Sequence, residues 1–96
     1  MITLNSLFRR KEQIVGRRIA GETILVPIRG NLADMERIFA LNPMGEFIWE
    51  RLDGKNSLET ICRSITAEFA VDSAKAEEDV KRFIGELIDQ DLAFEV

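Results

Sequence analysis

The sequence predicts an α+β fold in which a three-stranded antiparallel N-terminal sheet is followed by three helices. Three observations predict it. Apolar residues before position 41 fall in short β-branched runs, those after position 43 recur at helical spacing, and an Asn42-Pro43 pair marks the change. The chain has 96 residues, 46% of them apolar, which is enough for one domain over 1–96 with a single modest core.

The first two strands are "IVGRRIA" and "TILVPI", joined through the Gly-containing "AGE" as a hairpin. A polar stretch, "RGNLADME", reads as a loop of about eight residues, longer than most hairpin connections. "RIFAL", Arg37 to Leu41, then forms the third strand. Three strands in succession make a meander, with the first and third as edges. Residues 1–11 precede this pattern and are expected to form a loosely packed arm.

Asn42 is a suitable N-cap and Pro43 suits the first helical position, where the missing N–H costs nothing. Met44, Phe47, Ile48 and Leu52 then share a helical stripe, with Trp49 on its flank and Asp53-Gly54 ending the helix. Ser57 caps a second helix, in which Leu58, Ile61, Ile65 and Phe69 form a narrow stripe beside Cys62. The third helix starts near Asp72 or Ser73 and carries Ala76, Val80, Phe83, Ile84, Leu87 and Ile88 on one face. "LAFEV" closes the chain as a short strand or an extended tail. The short "AVDS" connection gives the last two helices a helix-turn-helix arrangement, and the sheet beside them makes a winged-helix-like body.

The composition removes several function classes. With no histidine and one cysteine, the chain offers neither a Cys/His zinc set nor a disulfide, and no metal or other cofactor is expected. No Ser or Cys has a nucleophile's setting, and no Gly-rich phosphate loop follows a strand. Glu77-Glu78 and Asp89/Asp91 read as solvated surface charge, and Cys62 as a buried, inert thiol. No catalytic residue is assigned. No apolar run approaches the roughly 20 residues that span a bilayer. "MITLNSLFRRKE" places its apolar stretch before its charges, the reverse of a secretory signal, so a cytoplasmic protein is expected.

The net charge of −4 hides an asymmetry. Residues 1–30 carry six Lys/Arg against two Asp/Glu, and residues 72–96 carry three against eight. A helix-turn-helix body raises the question of DNA. The reading helix offers Lys75, Lys81 and Arg82 against seven carboxylates between Asp72 and Asp91, a balance that repels phosphate. Arg9, Arg10, Lys11, Arg17 and Arg18 read instead as charges that keep an edge strand soluble. An exposed edge can take a peptide as an added strand, with Ile38 or Phe39 and Phe83 flooring a groove.

"GETILVP", "LNPMGEFIWERLDG", "SLETICRSITAEFAVD" and "DVKRFIGELIDQDL" together resemble the family of the PQQ-synthesis protein PqqD, from about residue 14 to residue 94. The Leu-Asn…Gly…Ile-Trp…Leu-Asp-Gly run carries most of that resemblance. It implies a winged helix-turn-helix recognition element that binds the leader of a ribosomally made precursor peptide. Such elements present the leader to a maturation enzyme, often a radical S-adenosylmethionine enzyme. The leader adds beside the third strand, in a groove walled by the third helix.

Carried onto this chain, the resemblance implies a peptide site at Arg37, Ile38, Phe39, Ala40 and Leu41. The helical wheel chooses Asp79, Arg82, Phe83 and Glu86 for the wall, with the flank of Lys81 and Ile88 as the other option. Phe39, Leu41 and Phe83 would form pocket walls, Ile38 and Ala40 with their neighbours would give the strand hydrogen bonds, and Arg37 and Arg82 would meet leader carboxylates. Trp49, Leu52 and Gly54 are assigned to structure. "LNPMGEFIW" is nearer to the wider set of stand-alone PqqD-like proteins than to the PQQ-pathway member, which leaves the pathway open. The alternative functions are a winged-helix regulator of transcription and a subunit that docks on an enzyme without touching peptide. Either a monomer or a homodimer fits the exposed edges.

Overall fold

The computed structural model describes residues 2–30 and 32–96. Its strands form two groups. In the first, β2 (Ile14–Ile19) and β3 (Glu22–Arg29) make the expected hairpin, pairing from Ile14↔Pro27 to Ile19↔Glu22. Gly21, at φ +84°, makes the turn. The other edge of β3 is shared by two short strands. β4 (Leu32–Ala33) pairs with Ile28 and Arg29, and β5 (Phe39–Leu41) pairs with Thr23, Ile24 and Leu25. All these pairings are antiparallel.

Of the expected loop over 29–36, Asn31 lies outside the described residues, and most of the rest is regular backbone. It contains β4 and a 3-10 turn, Met35–Arg37, at whose start the Asp34 side chain accepts a hydrogen bond from the Glu36 N–H. This turn also shortens the expected third strand. Arg37 ends the turn and Ile38 is its C-cap, so only Phe39–Leu41 pair as strand.

The helices follow their caps. α1 (Pro43–Glu50) starts from Asn42, whose side chain accepts from the Gly45 N–H at 2.7 Å. α2 (Leu58–Phe69) starts from Ser57, which accepts from the Thr60 N–H. α3 (Ser73–Asp89) starts from Asp72, which accepts from the Lys75 N–H at 2.8 Å. Ala70, in the left-handed region at φ 54°, ends α2 and turns the chain into α3. The buried faces of α2 and α3 are Leu58, Ile61, Cys62 and Ile65, and Ala76, Val80, Ile84 and Leu87. They meet Leu25, Leu41, Ile48 and Leu52 in one core. Ile88, placed in the stripe by periodicity, lies at its margin and is exposed.

The second strand group corrects the expected N-terminal arm. Residues Leu7–Arg10 form β1, the central strand between β6 (Asp53–Ser57) and β7 (Ala93–Glu95). Phe8 is 1% exposed and belongs to the core, so this segment is firmly packed. "DGKNS" reads locally as a turn, yet it pairs with β1 across a register shift where Gly54 takes φ +78°. Of the two readings offered for the C-terminus, the strand is the one observed.

Trp49 lies at the seam of these parts. Its ring packs on the core, and the Arg10 guanidinium sits 5.9 Å from the ring centroid while donating to the Trp49 carbonyl at 3.3 Å. The tryptophan thus ties α1 to β1 as well as to the helices. Among the described residues, no helix is long and apolar enough to cross a membrane.

Candidate functional site

β5 is short because Asn42 must stop being strand and start capping a helix. That junction brings the chain directly from the sheet edge into α1. The outer edge of β5 pairs with no strand among the described residues. α3 runs alongside in the opposite direction. Arg37, just before β5, donates to the Gln90 carbonyl at the end of α3 at 3.0 Å. Phe39 meets Phe83 edge-to-face, with centroids 6.2 Å apart.

Between β5, the first turns of α1 and the middle of α3 lies a cleft of about 370 Å³. Ala40 borders it from β5, Gly45 and Ile48 from α1, and Asp79, Arg82, Phe83 and Glu86 from α3. All four residues chosen on α3 by helical wheel therefore share one cleft with the strand. The flank carrying Lys81 and Ile88 does not line it.

The residues from the strand fare differently. Ala40 reaches the cleft, and Phe39 supports it through Phe83. Leu41 is 5% exposed and packs in the core, so its side chain is closed to a ligand and cannot serve as a pocket wall. Arg37 points to the end of α3, beside Lys11, Arg29 and Asp91. Ile38 lies on the opposite face of the sheet, among Val15, Val26 and Met35. The physical reason is strand alternation combined with the 3-10 turn, which takes Arg37 and Ile38 out of the ladder.

Gly45, the first glycine of the Leu-Asn…Gly…Ile-Trp…Leu-Asp-Gly run, was given no role in the site, and it shapes the cleft. A Cβ built on it would lie 3.1 Å from the Phe83 ring and 3.2 Å from Asn42 Oδ1. A side chain there would displace the ring that floors the cleft. The sequence signals were its place in that run and its position three residues after the cap, inside a helix where glycine is otherwise disfavoured.

The charges of the cleft are partly spoken for. Asp79, with its side chain 14% exposed, holds Lys75 at 3.3 Å and Arg82 at 3.2 Å. The Arg82 side chain remains 63% exposed, so its guanidinium is held on one side and open on the other. Behind the cleft, Glu46 on α1 receives Arg18 at 3.0 Å and a hydrogen bond from the Thr23 hydroxyl, fixing the hairpin to the helix.

Elsewhere several basic residues have partners of their own. Lys11 bridges Asp91 at 3.0 Å, and this partner, helped by Arg37 and Arg29, holds the Asp91 carboxyl below the usual range. Lys81 pairs with Glu77 on α3 at 2.8 Å. Cys62 is buried at 8% exposure, and burial pushes its thiol up. Among the described residues, no three His, Cys, Asp or Glu side chains gather as a metal-binding group.

The comparisons agree with this architecture. A family model described as coenzyme PQQ synthesis protein D (PqqD) matches residues 22–93. No curated protein matches the chain. Two solved structures resemble it. TbiB1 in complex with the TbiA(beta) leader peptide superposes with a TM-score of 0.70 at 26% identity, covering 88% of this chain and 93% of that one. A lasso peptide synthetase B1 complexed with the leader peptide has a TM-score of 0.73 at 22% identity, covering 91% and 96%. At that identity the second likeness speaks for the fold.

Proposed function

We propose, because the chain belongs to the PqqD family, that it is a non-catalytic recognition element for the leader of a ribosomally made precursor peptide. It captures the leader by strand addition on the outer edge of β5 and presents it to a maturation enzyme in the cytoplasm. The observation that carries this reading is the cleft between an unpaired strand edge and α3. The likeness to TbiB1, solved with a leader peptide, adds weight to it.

The chemistry of the groove suits an extended peptide. Free N–H and C=O groups on β5 supply main-chain hydrogen bonds, and alternate peptide side chains face the cleft. An apolar leader residue would pack on Phe83, Ile48 and Met44, all of which line it. Arg82, steadied by Asp79, would receive a leader carboxylate on its open side. Glu86, also on the rim, would favour a peptide amide or cation beside it. Arg37 would act from outside the cleft, anchoring the start of β5 to the end of α3. A radical S-adenosylmethionine enzyme is one class of partner that would accept the presented peptide.

The DNA-binding reading loses its reading helix. Each cation of α3 is already paired on the helix, Lys75 and Arg82 with Asp79 and Lys81 with Glu77. What remains on that helix is net negative, which disfavours phosphate.

Fluorescence anisotropy with the labelled leader of a precursor encoded beside this gene tests the proposal. Saturable binding is expected, weakened by Arg82→Ala by up to about fivefold, the worth of one exposed charge pair. Absence of leader binding, with duplex DNA retained at low salt and released steeply as salt rises, would overturn it.

A further inference from the structure

The sheet of β2, β3 and β5 has two apolar faces. One, carrying Leu25, Phe39 and Leu41, lies on the helices. The other follows from the register. Val15 stands opposite Val26, Arg17 opposite Ile24, Ile19 opposite Glu22, and Ile28 opposite Ala33, so these side chains share the outward face. With Met35 and Ile38, all of them except Glu22, which stands at the edge, line a shallow concavity of about 330 Å³.

An antiparallel strand with one face in water ordinarily alternates apolar and polar residues. The "TILVPI" run of β3 does not: it is apolar on both sides, the pattern of a strand covered on both faces. Val26 is already 7% exposed through its neighbours alone. Around it Val15, Ile38, Ile19 and Met35 stay 39%, 47%, 53% and 64% exposed. A contiguous apolar surface of this kind marks an interaction site.

The charges on this face indicate what covers it. On the paired strands they are Arg17 and Glu22, and neither forms an ion pair among the described residues. Arg17, Ile24, Glu22 and Ile19 are the four corners of one patch, with the two isoleucines on one diagonal and the two charges on the other. We infer that this face is a two-fold contact between two copies of the chain. An axis lying in the contact plane along the Ile19–Ile24 diagonal sets isoleucine on isoleucine. It also sets Arg17 of each copy on the other copy's Glu22. A two-fold contact requires such self-complementarity, in which residue i meets j and j meets i. The area is small, so the association is weak. None of the residues that line this concavity lines the cleft beside α3, so both clefts of the dimer stay open.

Sedimentation equilibrium of the peptide-free protein between about 1 µM and 1 mM tests this. Expected is a concentration-dependent dimer, weakened at least about tenfold by Ile19→Glu, Arg17→Glu or Glu22→Arg alone. An equimolar mixture of the R17E and E22R chains should recover near-wild-type affinity as a heterodimer, because both crossed contacts are then restored. That recovery also demonstrates that both variant chains are folded. A wild-type chain monomeric at 1 mM, a dimer unaffected by Ile19→Glu, or a mixture that fails to recover would each overturn the inference. None of these outcomes depends on leader binding.

Discussion

Gly45→Ala separates the cleft from the stability of the fold. The added Cβ would sit 3.1 Å from the Phe83 ring, tighter than ordinary contact. Phe83 is half-buried and borders open space, so the ring can swing into the cleft rather than force the backbones apart. Three effects then compete. Alanine in place of a helical glycine stabilises by up to about 1 kcal/mol. Crowding of the Asn42 cap, whose Oδ1 lies 3.2 Å from the new Cβ, costs up to about 1 kcal/mol. Displacing the ring and loosening its contact with Phe39 costs about 1 kcal/mol more. The net loss is about 1 kcal/mol, within reach of urea denaturation. Leader affinity should fall more, about tenfold or about 1.4 kcal/mol, because the ring then occupies the cleft. Titration calorimetry measures that drop beside the unfolding curve. Unchanged affinity in a folded variant would refute the placement of the peptide. A stability loss above about 3 kcal/mol would refute the claim that the ring can yield.

Three further predictions follow from the same contacts. Asn42→Ala removes the acceptor of the 2.7 Å bond from the Gly45 N–H and should cost about 1 kcal/mol in denaturant unfolding. Asp53 is held below the usual carboxylate range first by the Lys55 N–H, with Asn56 adding to it. Because its folded value is depressed, its contribution is complete above the unfolded value and is lost as pH falls through the folded one. Carbon-detected NMR should show Asp53 titrating below an ordinary aspartate, and Asp53→Asn should flatten that part of the acid profile. Cys62 should resist thiol reagents in the native protein and react on unfolding, since it is buried with its thiol pushed up; rapid native modification would contradict its burial.

The helical half of the molecule was legible because its signals are local. Asn42, Ser57 and Asp72 each cap the helix that follows, and the stripes of α2 and α3 are periodic enough to name the core. The choice of Asp79, Arg82, Phe83 and Glu86 needed only helical geometry and the resemblance. What was hidden depends on contacts far apart in sequence. β1 and β6 hold too few apolar residues to announce themselves, and β1 is ordered by partners more than 40 residues away. Leu41 and Ile38 were misjudged because the face a strand residue takes depends on register, and the 3-10 turn at Met35–Arg37 changes the register. Gly45 gained its meaning only from Phe83, on another helix.

The central claim is that the leader becomes a strand on the free edge of β5. Isotope-edited NMR of the labelled protein with the unlabelled leader tests it most directly. Cross-strand contacts between leader backbone protons and Phe39, Ala40 or Leu41, with shifts at Arg82, Phe83 and Glu86, are the predicted result. Contacts instead along the outer edge of β2, with residues 39–41 and the α3 wall unperturbed, would contradict the account.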